Sequence, residues 1–102
     1  MFFFQFEVQP KQTHPQRDQY AGGFVNCWIL RDTLSQAEAV ARSCLGDEEW
    51  RIVSVEESML MTREKQAEYP AGIEFFEQAK IDREVFVFHT YPVGAPDDID
   101  AG

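Results

Sequence analysis

The stretch FVNCWILRDTLSQAEAVARSCLG, residues 24–46, holds a strand, a cap and a helix in direct succession. From Phe24 to Arg31 the residues alternate, with Val25, Cys27 and Ile29 on one side and Phe24, Asn26, Trp28 and Leu30 on the other. Side chains in a strand point to opposite faces with period two, so both faces of this strand are mainly apolar. Asp32-Thr33-Leu34-Ser35 then supplies cap chemistry. Ser35 with Glu38 three residues on has the form of a capping box, each side chain satisfying a free N–H of the first turn. Ala37, Val40, Ala41, Cys44 and Leu45 recur at i, i+3, i+4, i+7 and i+8, which predicts a helix that buries a stripe of small residues. Gly46 follows the last of them and is expected to end the helix in a left-handed conformation.

Working outward toward the C-terminus, Trp50 to Glu56 has strand composition, with Trp50 and Ile52 assigned to one side and Val53 and Val55 to the other. Ser58 to Thr62 is expected to be a short separate strand after a turn at Glu56-Glu57. Pro70 suits the first position of a helix over residues 71–81, because its missing N–H would have no partner there. Ile73, Phe75, Phe76 and Ala79 form the buried edge of that helix, and Glu77 can pair with Lys80 on its outer side. Residues 84–91, EVFVFHTY, give the clearest strand, stopped by Pro92. Toward the N-terminus, Phe2, Phe4, Phe6 and Val8 share one side of a half-buried strand whose other side carries Phe3, Gln5 and Glu7. The apolar start lacks a basic flank and a cleavage site and reads as that strand. Residues 9–23 contain two prolines and two glycines without periodicity, and are expected to be a long connection.

The order of elements predicts an α+β domain over residues 1–93, with an acidic, disordered tail over 94–102. Its last elements match the split β-α-β-β-α-β order of a ferredoxin-like sandwich. The expected architecture is an antiparallel sheet of four or five strands, two helices on one face, and the N-terminal strand added at an edge. Such a sheet should be polar on its open face, yet Phe24, Trp28, Leu30, Trp50 and Ile52 are all assigned to it. Leaving each of them in water would forfeit about 1.5–3 kcal/mol. The expectation that follows is a homodimer packed sheet to sheet, and the alternative is that residues 9–23 or the first strand fold over that face.

Residues 25–57 (VNCWILRDTLSQAEAVARSCLGDEEWRIVSVEE), followed by residues 75–92 (FFEQAKIDREVFVFHTYP), resemble a family of small uncharacterised bacterial proteins with a ferredoxin-like fold. The resemblance covers most of residues 24–92. It rests on packing motifs, so it implies a fold and a bacterial origin and carries no activity onto any residue.

Nine basic residues against eighteen acidic ones leave a formal charge of -9, which repels phosphate backbones and anionic membrane surfaces. Neither nucleic acid nor membrane is an expected partner; a basic protein is. A hydrophobic share of 44%, with nine Phe and two Trp, is that of a chain that folds unaided. Cys27 and Cys44 lack metal-ligand spacing and read as reduced core thiols of a cytoplasmic protein. No pair of His and Cys stands at zinc spacing, so no metal or cofactor is expected. No phosphate loop, dinucleotide fingerprint, nucleophile elbow or calcium loop occurs. The carboxylates Asp47, Glu48, Glu49, Glu56 and Glu57 read as a solvated rim.

No catalytic residue is therefore assigned. Phe24, Trp28, Leu30, Trp50, Ile52, His89 and Tyr91 are the candidate dimer or ligand face. The leading expectation is a non-enzymatic dimeric interaction or regulatory module. The competing one is a small dimeric α+β barrel enzyme or apolar-ligand binder whose aromatic cavity uses His89, Tyr91 and, if its loop folds over the sheet beside them, His14.

Overall fold

The computed structural model describes residues 1–93, and the expected acidic tail lies outside them. Strands β1 (Phe2–Pro10) and β2 (Tyr20–Ile29) pair as a hairpin, helix α1 (Leu34–Asp47) follows, and strand β3 (Trp50–Leu60) returns along β1. A short helix α2 (Arg63–Gln66), a 3-10 turn (Pro70–Gly72) and helix α3 (Ile73–Asp82) lead to strand β4 (Glu84–Pro92) beside β2. The result is an α+β fold around a four-stranded antiparallel sheet of order β3-β1-β2-β4.

This order corrects three expectations. The N-terminal strand is central, between β3 and β2, because Phe3 and Met1 on its second side have apolar neighbours to meet, as Phe4 and Phe6 do on the first. Trp50–Leu60 is one strand, and in place of the expected turn at Glu56-Glu57 there is a register shift at Glu56, with a second at Val53, and the ladder against β1 continues. The long connection shrinks to residues 11–19, since Gly22 and Gly23 lie inside β2. A Cβ at Gly23 would stand 2.7 Å from the His89 carbonyl oxygen and 2.8 Å from Thr90 Cα, so only glycine lets β4 approach this closely.

The helices lie on opposite faces, whereas both were expected on one. Phe4, Phe6, Val8, Val25, Cys27 and Ile29 pack with Ala37, Ala41 and Leu45 of α1. Phe3 and Trp28, of the opposite parity on the same strands, pack with Met61 and with Phe76 and Ala79 of α3. Ile73, expected at the buried edge of α3, is exposed. The second face is thus roofed by the chain's own α2–α3 segment, and its greasiness no longer calls for a twin subunit.

The first face is curled. Trp50 on one edge strand and Phe88 on the other have ring centroids 5.6 Å apart. Three flat strand spacings would separate those strands by about 14 Å. Tyr20 stacks on the same indole, and His14 meets it edge-on at 4.5 Å, so the 11–19 loop closes this end of the first face.

Helix ends also differ from expectation. Thr33, not Ser35, caps α1, its hydroxyl accepting from Gln36 N at 3.2 Å while Gln36 Oε1 accepts from Asp32 N. The helix runs through Gly46, and the left-handed residue is Glu49, with φ 66°. Among the described residues no helix is long and apolar enough to cross a membrane.

Candidate functional site

Because the strands alternate, residues in register across the sheet form rows on the second face. Met59, Phe3, Trp28 and Val85 make an apolar row under α3. The next row is Glu57, Gln5, Asn26 and Val87, and the one beyond is Ser54, Glu7, Phe24 and His89. Phe76 and Ala79 of α3 pack over the first row, and of the next row Val87 joins the same cluster. Between the open rows and the α2–α3 segment lies a cleft of about 610 Å³. Phe3, Trp28, Met59 and Phe75 line its apolar end, Gln5, Asn26, Glu57 and His89 its polar end, and Glu68, Tyr69 and Ala71 its roof.

The roof is held down by one buried hydrogen-bond chain. Trp28 Nε1 donates to Gln66 Oε1 at 2.8 Å, and Gln66 Nε2 donates to the Tyr69 carbonyl at 2.8 Å. Gln66 is buried, and these bonds satisfy its amide at both ends. Gly72 fits directly over this pair: a Cβ there would stand 2.6 Å from Gln66 Nε2 and 2.9 Å from Trp28 Cζ2. Trp28 is further fixed edge-on by Phe3, with centroids 5.1 Å apart, and by Phe75 at 5.3 Å. On the floor, Gln5 Nε2 donates to Asn26 Oδ1 at 3.0 Å, which orients two amides in the middle of the cleft.

The candidate face named from sequence is divided by the fold. Trp28 and His89 line the cleft. Phe24 stands beside His89 as its register partner, half-buried on the same face, and Tyr91 lies one row further out with its hydroxyl against Gly22. Leu30 immediately follows β2, its N–H bonded to Arg83 O at 2.8 Å. Trp50 and Ile52 belong to the other face, in the core beneath α1. They were misassigned because alternation shows that Trp50 and Ile52 share a side without showing which face that side meets; their register partners Pro10 and Val8 put them on the first face.

His14 and His89 do not meet. His14 packs on Trp50 on the first face, only 8% exposed, and its Nδ1 accepts from Gln16 N at 3.0 Å. The carboxylate rim likewise separates: Glu49 reaches Lys11 at 3.9 Å beyond α1, whereas Glu57 enters the cleft. Cys27 and Cys44 are free thiols. Burial, then the neighbouring Cys44, pushes the Cys27 thiol far above its ordinary range; burial, then Glu84, raises Cys44. Among the described residues no group of three or more His, Cys, Asp and Glu side chains converges to hold a metal ion.

The cleft residues that sequence reasoning passed over are Gln5, Asn26, Glu57, Met59, Gln66 and Tyr69. A polar side chain at mid-strand between apolar neighbours, as at Gln5 and Asn26, was the available signal. Comparison with known proteins returned no match among family models, curated proteins or solved structures.

Proposed function

We propose that this protein binds a small organic ligand with an apolar body in the cleft between the second face of the sheet and the α2–α3 roof. The observation that carries this reading is the cleft itself: about 610 Å³, aromatic at one end and amide- and carboxylate-bearing at the other. Small-molecule sites have volumes of about 300–1,000 Å³, mostly apolar walls and a few convergent polar groups. Among the described residues no Ser, Cys, Thr or Lys lines this one. We read the cleft as a binding site.

The test is calorimetric titration with a neutral aromatic probe, 1-naphthalenemethanol, against wild type and Ala71→Trp. Ala71 is an exposed roof residue, so an indole there fills the cleft without entering the core. Saturable binding in wild type that is lost in the variant, with an unchanged urea midpoint, is expected. Absence of saturable binding in wild type, or full binding by the variant, contradicts the reading.

A dimeric interaction module is a second reading, and one observation favours it. β4 is an edge strand whose Phe88 and Tyr91 are 39% and 37% exposed, with Val93 just past its end 55% exposed. An open edge bearing unpaired N–H and C=O groups can pair with a second copy of itself. Light scattering at micromolar concentration tests it, and a monomer counts against it. The resemblance to ferredoxin-like bacterial proteins, and a reducing cytoplasmic setting for the free thiols, belong to this second reading as well.

A further inference from the structure

We infer that the ligand class of this cleft is an organic cation, an amine or quaternary ammonium on an apolar body. The inference deepens the binding proposal and rests on it. Glu57 comes from the floor, on β3, and Glu68 from the roof, just after α2, so carboxylates line the cleft from two elements. Among the described residues no Lys or Arg lines it. Of the basic side chains near the roof, Arg63 binds Glu77 at 2.7 Å and Lys80 binds the same carboxylate at 3.3 Å, while Lys65 of α2 is outside the cleft lining. Among the described residues neither Glu57 nor Glu68 has an ion-pair partner.

An anion entering here would meet two carboxylates in a chain of net charge -9, and no cation in the cleft to offset them. A cation meets the opposite. Tyr69, Phe75 and Phe3 line the cleft with aromatic rings, whose faces are negative and attract ammonium groups, and the Gln5–Asn26 bond leaves Gln5 Oε1 as an acceptor for an N–H donor. The apolar end under α3 takes the hydrocarbon body, and the row Glu57–Gln5–Asn26 takes the charged head.

The test uses three probes that share one ring system and differ in charge: 1-naphthylmethylamine, 1-naphthalenemethanol and 1-naphthoate, titrated calorimetrically near neutral pH. The amine is expected to bind about tenfold or more tighter than the alcohol, and naphthoate not to bind. Glu57→Gln combined with Glu68→Gln should abolish the advantage of the amine over the alcohol; both residues are exposed, so the fold is undisturbed. Equal affinities for amine and alcohol, a preference for naphthoate, or an amine preference that survives the double variant overturns the cation assignment while leaving the binding cleft standing. Failure of all three probes overturns the cleft reading together with it.

Discussion

Gln66 is the residue on which the site depends most, because a single amide joins the indole of the floor to the backbone of the roof. Gln66→Ala leaves the Trp28 N–H buried without an acceptor, a loss of about 1–3 kcal/mol by urea denaturation, and it should loosen the 63–72 segment in hydrogen exchange. Gly72→Ala should do similar damage by overpacking, because the intruding methyl meets the packed Trp28 ring. Neither role was legible in the sequence: Gln66 sits in a polar run, REKQ, and nothing local marks it as buried. Cys27, by contrast, was legible as a core thiol from its parity in β2. It should resist thiol reagents in the native state near neutral pH and react once the chain is unfolded. Its folded thiol titrates above the unfolded one, so its stabilisation is complete below the ordinary thiol range and declines as pH climbs past it. Urea midpoints taken on either side of that range check the sign.

Among the elements, α1 shows what a pattern can and cannot carry. The small-residue stripe predicted the buried side of the helix, and Ala37, Ala41 and Leu45 are buried there. The cap was displaced by two residues, because Thr33 stands at the start of the helix and its hydroxyl accepts from Gln36 N, while Gln36 Oε1 reaches back to the N–H of Asp32, one residue before the cap. Thr33→Ala should cost about 0.5–2 kcal/mol and Ser35→Ala less than about 0.5 kcal/mol; thermal denaturation of the two variants separates the assignments. The Glu77–Lys80 pair expected on the outer side of α3 is present at 3.3 Å. β1 was misplaced for a physical reason. Its apolar side was evident, but Gln5 and Glu7 made the other side look like a solvent face. Gln5 is in fact a cleft floor, polar because it faces a ligand-sized space instead of a helix.

At the scale of the whole molecule, periodicity tells which side of a helix is buried but not which side of the sheet receives it. Both faces of β2 were apolar, and that correctly demanded two covers. A second subunit was one solution; the chain uses another, sending α2 and α3 across the second face from the edge at β3 to the edge at β4. The cover is incomplete, and the cleft is what it leaves open. The fold also places one tryptophan on each face, Trp28 in the cleft wall and Trp50 in the core beneath α1. Their indole N–H signals in a proton–nitrogen correlation spectrum therefore give a reporter and an internal control. On titration with 1-naphthylmethylamine the Trp28 signal should shift saturably while that of Trp50 stays fixed; a fixed Trp28 signal, or equal shifts in both, would contradict a ligand site on the second face.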